Sequence, residues 1–287
     1  EAQWNIYFNL YKEIPEYKLQ NYLMTLDEFK IIFWWEFIHR FLGRLIGLFF
    51  ILPLIYFSIK QGFNKTKNLF LIFALICFQG FIGWYMVASG LVDRVDVSHY
   101  RLSLHLVLAF IILSLIFWNY LKYKKINHSE NKINFSLPII FLLLIFLQIS
   151  IGAFVSGMDA GKVYNSWPLM GTSYFPDDSS IVDLLNLEIF NNPSLIQFLH
   201  RNIAYFILIF YLLILFVVFK NKFQTLYKAT KIIGFILIIQ IVLGILTLLS
   251  GAQIIISSMH QISSIFLVSS SVYLVYLNLN TNLQLLD

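Results

Sequence analysis

The sequence predicts an all-α protein embedded in a membrane, and three observations support this fold class. Hydrophobic residues make up 59% of the 287 residues, and the mean hydropathy is +0.76. Charged residues make up only 12%, whereas a soluble domain carries about a quarter. The apolar residues are gathered in runs of roughly 20 residues, which suit membrane-crossing helices rather than the alternating strands of a membrane barrel.

Seven apolar segments, which we name A to G, contain these runs. Each segment is long enough to cross a bilayer, because a helix rises ~1.5 Å per residue. In chain order the segments are residues 33–59, 69–89, 102–121, 137–157, 196–219, 232–250 and 256–277.

The charged residues alternate between the connections of these segments. Lysines gather after segments A, C and E, at positions 60, 65, 67, 122, 124, 125, 132, 220, 222, 228 and 231. Acidic residues, among them Asp93, gather in the other connections and in residues 1–32. The positive-inside rule predicts that residues 1–32 and the loop 158–195 lie outside. The net charge of +5 therefore follows the membrane and does not indicate nucleic-acid binding.

The two halves of the chain repeat each other at an offset of 161 residues. Residues 36–41, EFIHRF, resemble residues 197–202, QFLHRN, and Gln79, Gly83 and Gly90 recur as Gln240, Gly244 and Gly251. Segment D would have its counterpart before residue 1. We therefore expect eight transmembrane helices in the full-length protein, in two pseudo-symmetric four-helix bundles, with seven helices in this chain. The predicted domains are residues 1–136, which contain three helices, and residues 137–287, which contain four.

Four histidines carry the main functional signal. His39, His105, His200 and His260 lie near the predicted outer ends of segments A, C, E and G. A histidine in a membrane helix is costly unless it is ligated or paired. Two pairs in repeat-equivalent helices favour axial ligation of two haem irons. Zinc and copper stay possible, but no Asp, Glu or Cys joins the second pair, and haem suits a bis-histidine site between helices better.

Glu36 distinguishes the two halves. It lies three residues before His39, so both share one face of the helix, and the equivalent position in the second half is Gln197. A carboxylate can act as a base or stabilise developing positive charge. This difference predicts a reactive site in the first half and a redox cofactor in the second, unless Glu36 is merely solvated at the interface.

Three arginines follow the histidines of segments A and E. Arg40 and Arg201 come directly after His39 and His200, and Arg44 lies one turn further on. Arginine pairs well with carboxylates such as haem propionates. Snorkelling of these side chains to the membrane surface explains them equally well.

Two other classes of protein compete with an enzyme. A di-haem electron-transfer subunit explains the four histidines but not the contrast between Glu36 and Gln197. A transporter built on parallel repeats predicts broken helices and polar groups at the midplane, whereas the polar residues here cluster at the outer ends.

Several stretches resemble the haem A synthase family. They are residues 27–47, DEFKIIFWWEFIHRFLGRLIG; residues 89–105, SGLVDRVDVSHYRLSLH; residues 152–171, GAFVSGMDAGKVYNSWPLMG; and the pairs His200-Arg201 and His260-Gln261. The resemblance covers nearly the whole chain. It is closest to the proteobacterial and mitochondrial type, because the cysteine pairs that another bacterial type carries in its outer loops are not present.

The resemblance implies an oxidoreductase of the bacterial inner membrane, with residues 1–32 and the loop 158–195 on the periplasmic side. Such an enzyme oxidises the C8 methyl group of haem O to a formyl group through a hydroxymethyl intermediate, giving haem A for cytochrome oxidase. Glu36 is then the catalytic residue, and His39 and His105, with Arg40 and Arg44, bind the substrate haem. The resemblance also implies that His200 and His260, with Arg201, hold a haem b. Haem O synthase and oxidase assembly factors are the partners it implies besides the lipid bilayer.

Overall fold

The computed structural model describes residues 1–90 and 95–279. Residues 91–94, which include Asp93 and belong to the stretch 89–105 that resembles the family, lie outside the described residues. The described part is built from helices. They are α1 (Ala2–Tyr11), α2 (Pro15–Leu19), α3 (Leu26–Gln61), α4 (Phe63–Gly90), α5 (His99–Tyr123), α6 (Ser136–Gly157), α7 (Pro193–Lys220), α8 (Gln224–Leu249) and α9 (Ile254–Leu277).

The seven long helices α3 to α9 correspond to segments A to G, and all seven are long and apolar enough to cross a membrane. The prediction of an all-α, multi-pass membrane protein is therefore confirmed. The helices begin earlier than the apolar segments, and polar caps mark this earlier start at α3 and α7. Thr25 and Glu28 form a capping box at the start of α3, and Asn192 caps α7 with Pro193 at its first position. The arrangement in two similar bundles stays a prediction.

The chain divides into two compact units, Glu1–Leu108 and Ala109–Asp287. In the first unit α1 packs on the beginning of α3 through aromatic rings. Trp4 meets Phe33 edge to face, with ring centroids 5.0 Å apart, and Phe8 lies 5.3 Å from Phe29. Helices α3 and α4 pack along each other. The segment before α3 is thus held near the end of α3 that carries Glu36.

A small network of polar side chains holds residues 11–21 together. The Tyr11 hydroxyl donates to Glu16 at 2.9 Å and accepts from the Asn21 amide at 2.9 Å. Burial, together with the bond to the carboxylate of Glu16, raises the pKa of Tyr11 to about 12. Residues 11–21 therefore form a compact turn and not an extended tail.

In the second unit, helices α6 to α9 pack against one another. Helix α6 contacts α7 and α9, and α8 contacts α7 and α9. The long loop between α6 and α7 contains three short 3-10 turns, Ala160–Lys162, Ile181–Leu185 and Leu187–Asn191. The first of these turns contacts α6, α7 and α8, so the loop lies over the end of this helix group that carries His200.

Candidate functional site

The second unit brings one predicted pair of histidines together. His200 lies on α7 and His260 lies on α9. Both side chains are half-buried, and they are close enough to interact electrostatically. Two imidazoles on different helices of one helix group are the ligands that a bis-histidine haem requires.

His200 is held by α6. The side-chain amide of Gln148 donates to the main-chain carbonyl of His200 at 2.9 Å and also lies 3.3 Å from the ring atom Nε2. A Cβ atom at Gly152 would lie only 3.1 Å from Cε1 of the His200 ring. The imidazole therefore occupies the space that a side chain at Gly152 would fill.

His260 is held by α8 in the same way. The Gln240 amide donates to the His260 carbonyl at 3.0 Å, and a Cβ atom at Gly244 would lie 3.0 Å from Cε1 of the ring. In addition, ring atom Nδ1 lies 3.1 Å from the main-chain carbonyl oxygen of Gln240. A glutamine and a glycine four residues later thus hold each histidine of this pair.

Gln197 and Arg201 anchor the outer loop to α7. The Gln197 side chain, only 3% exposed, donates to the carbonyl of Tyr164 at 3.0 Å. Arg201 donates to the carbonyls of Tyr164 and Ser166 at 3.1 and 3.0 Å, and to that of Leu169 at 3.3 Å. Its Nε atom is buried without a hydrogen-bond partner. Arg201 therefore mainly connects α7 to the loop 158–195, and its Nε donor has no partner.

The first unit brings the other pair together. His39 on α3 is exposed, His105 on α5 is half-buried, and the two rings are close enough to interact electrostatically. The Gln79 amide donates to the His105 carbonyl at 3.0 Å, and a Cβ atom at Gly83 would lie 3.0 Å from Cε1 of the His105 ring. His105 thus has the same setting as His200 and His260, whereas His39 lies open.

Glu36 and Arg40 lie beside His39 on α3. The Arg40 guanidinium donates to the Glu36 carboxylate at 3.1 Å, and the two side chains are 50% and 56% exposed respectively. Arg44 is also exposed. Burial raises the pKa of Glu16, and the negative charges of Glu36 and Asp96 raise it further. Glu36 is therefore an accessible carboxylate close to the docked N-terminal segment.

The two histidine pairs fit haem better than a zinc ion. Structural and catalytic zinc takes three or four protein ligands, and no group of three or more His, Cys, Asp or Glu side chains gathers within residues 1–90 and 95–279. Haem iron needs only two axial imidazoles. The Nδ1 atoms of His105 and His200 are buried without a hydrogen-bond partner.

The sequence missed two features of these sites. The Gln-x-x-x-Gly spacing occurs at residues 79–83, 148–152 and 240–244. The sequence does not indicate that the glutamine amides bond to the histidine carbonyls, or that Gly83, Gly152 and Gly244 face the rings. His99, which precedes apolar segment C, is the first residue of α5.

Seven helices that are long and apolar enough to cross a membrane define a multi-pass membrane protein. The sequence profile of one family, described as cytochrome oxidase assembly protein (COX15-CtaA), matches residues 1–272. The chain belongs to this family. The family and enzyme class expected from the sequence, haem A synthase, are thereby confirmed.

Several relatives bear the same name. A heme A synthase of Pelagibacter ubique is 50% identical over 280 residues, which are 97% of this chain and 83% of the relative. A heme A synthase of Rickettsia bellii is 42% identical over 274 residues, with 93% and 81% covered. One of Rickettsia felis is 40% identical over 273 residues, again with 93% and 81% covered. No solved structure matches the chain.

Proposed function

We propose that this chain oxidises the C8 methyl group of haem O to a formyl group, with the substrate held between His39 and His105. His200 and His260 would hold a resident haem b. Membership of the haem A synthase family supports the reaction. One observation supports different roles for the two histidine pairs. The exposed carboxylate of Glu36 lies beside one pair, whereas the buried amide of Gln197 occupies the equivalent position beside the other.

The chemistry requires water and a base. Converting a methyl to a hydroxymethyl group with water removes two electrons and two protons, and converting that to a formyl group removes two more of each, so the reaction also requires an external acceptor of four electrons. Glu36 lies within one helical turn of His39 and is accessible, so its carboxylate takes a proton from the attacking water. It also stabilises positive charge that develops at the methyl carbon.

The other polar residues position the two haems. Arg40 and Arg44 on α3 face the propionates of the substrate, since guanidinium groups pair with carboxylates. The unpartnered Nε of Arg201 offers one donor to a propionate of the resident cofactor. When bound, haem b supplies a one-electron carrier.

The location follows from the charges of the connections. Lysine-rich connections on one side and acidic ones on the other support an orientation with residues 1–32 and the loop 158–195 in the periplasm. Both histidine pairs then lie towards the periplasmic side of a bacterial inner membrane. Haem O synthase, which supplies the substrate, and oxidase assembly factors, which receive haem A, are the proposed partners.

The test is pigment extraction from purified full-length protein that carries Glu36→Gln. Haem A should fall by at least about 100-fold, in line with the loss of a general base, while haem b and bound haem O remain. Glu13→Gln is the matched control, because Glu13 is an exposed carboxylate in the turn after α1. Undiminished haem A in Glu36→Gln would refute the role of Glu36. A wild-type protein that binds haem O without ever converting it would instead favour a di-haem electron-transfer subunit.

A further inference from the structure

Three of the four histidines share one local arrangement. For His105, His200 and His260, a glutamine on the preceding helix donates its side-chain amide to the histidine's own carbonyl, at 3.0, 2.9 and 3.0 Å. A Cβ atom placed on the glycine four residues after that glutamine would lie only 3.0–3.1 Å from ring atom Cε1 of the histidine. We call this arrangement the glutamine–glycine cradle. It comprises Gln79 with Gly83, Gln148 with Gly152, and Gln240 with Gly244.

The spacing of four residues has a physical reason. In an α-helix the N–H of residue i+4 bonds to the carbonyl of residue i, so glycine at i+4 is the residue closest to the glutamine's carbonyl. Without a Cβ there, an imidazole from the next helix can lie flat enough to reach that carbonyl oxygen. His260 does so, with Nδ1 3.1 Å from the Gln240 oxygen. One glutamine then binds the histidine twice, through its side chain and its main chain.

The orientation of each ring agrees with this. In all three cradles Cε1 is the ring atom nearest the built Cβ, Nδ1 is 3.5–3.6 Å away and Nε2 is 3.7–4.0 Å away. In the His200 cradle the Gln148 amide lies 3.3 Å from Nε2. The Nδ1 atom of His200 is buried without a hydrogen-bond partner, so the bond from Nδ1 to a glutamine carbonyl is formed by His260 and not by His200.

We propose that the cradle of Gln240 and Gly244 selects the ring nitrogen that His260 presents to iron. This cradle holds Nδ1 against the Gln240 carbonyl and leaves Nε2 free as the ligand. The inference rests on the proposed ligation of haem iron by His260. It adds that Gln240 and Gly244 are positioning residues, because a ligating imidazole is oriented by the hydrogen bond of its other nitrogen.

The test uses the resident haem of the full-length protein. A methyl group added by Gly244→Ala pushes the His260 ring off the Gln240 carbonyl. Haem b content should fall by about tenfold or more, the effect usual for loss of an orienting partner. The remaining haem should show a higher midpoint potential, because an imidazole that no longer donates from Nδ1 is less basic towards ferric iron. Gly80→Ala is the control, since a Cβ there has nothing within 4 Å.

Two further variants keep the outcomes distinct. Gln240→Met preserves the glycine gap and the chain length but removes the donor to the His260 carbonyl, so it should lower haem b content less than Gly244→Ala does. His260→Ala tests ligation itself. If His260→Ala keeps the wild-type haem spectrum, the proposed ligation fails and the cradle with it.

If His260→Ala abolishes the spectrum while Gly244→Ala keeps both haem content and potential, the cradle alone is refuted. A fall in content with an unchanged potential in the remaining haem would also refute it, because it would show that Gly244 matters for packing only.

Discussion

Helices α3 and α7 carry nearly the same short sequence in opposite surroundings. On α7, Gln197 and Arg201 donate to three main-chain carbonyls of the outer loop, and Gln148 of α6 holds His200. On α3, the equivalent Glu36 and Arg40 bond to each other and stay exposed. No glutamine bonds to His39 anywhere in residues 1–90 and 95–279.

The difference teaches how one repeat can serve two purposes. Side chains that tie α7 to a covering loop fix the position of His200, which suits a cofactor that stays bound. On α3 the carboxylate of Glu36 is bound by Arg40 of the same helix, with no bond to a covering loop within residues 1–90 and 95–279. Side chains that the protein already holds in place lose less conformational entropy when a ligand binds.

The largest effect should separate the two histidine pairs. His200→Ala should lower haem b content by at least the roughly 10–100-fold that loss of even an outer partner costs a metal site. His39→Ala should keep haem b and lose haem A formation. Absorption spectra with pigment extraction measure both quantities. Equal loss of haem b in the two variants would contradict the assignment of haem b to the second unit.

A smaller effect should separate the two arginines. Arg201→Gln removes bonds from a charged donor to three carbonyls, each worth about 1.5–3 kcal/mol, so a loss of at least about 2 kcal/mol in stability is expected even if the introduced amide and water replace most of these bonds. Arg40→Gln removes an exposed ion pair within one helix and should cost ~0–1 kcal/mol. Thermal unfolding in detergent compares them. If Arg40→Gln lowers the stability as much as Arg201→Gln does, the bonds between Arg201 and the loop stabilise the protein no more than an exposed ion pair.

The smallest effect concerns the covering loop itself. The main-chain N–H of Thr172 and the hydroxyls of Ser173 and Thr172 donate to Asp177 and lower its pKa from the ordinary 3.8. A lowered folded-state pKa stabilises the loop above the ordinary value, and this contribution is lost as the pH falls through the lower one. Asp177→Asn should therefore speed hydrogen exchange at the Thr172 amide a few-fold at neutral pH.

The control for this measurement is Asp159→Asn, which breaks only an exposed pair with Lys162. The gap between wild type and Asp177→Asn should begin to shrink as the pH falls below 3.8 and should close once the pH is below the lowered folded-state pKa of Asp177. A gap that persists in acid would show that the charge of Asp177 is not what holds the loop.

The sequence predicted the membrane helices well because their signal is local. Each apolar run is continuous, and caps such as Thr25 lie within a few residues of the helix they begin. The partners of Arg201 could not be predicted, since Ser166 and Leu169 are more than 30 residues away along a loop without periodicity. The spacing of Gln148 and Gly152 was visible, but its target depends on the register between α6 and α7.

The sequence by itself determined the class of protein, the seven membrane-crossing helices, the paired histidines and the contrast between Glu36 and Gln197. These follow from composition, hydrophobic length and a repeat, all of which are read along one chain. Only the tertiary structure decided what each polar side chain bonds to. Packing places a glycine of one helix against an imidazole of the next, and a glutamine within 3.0 Å of a histidine carbonyl. Such contacts depend on how neighbouring helices are aligned, which no local pattern specifies.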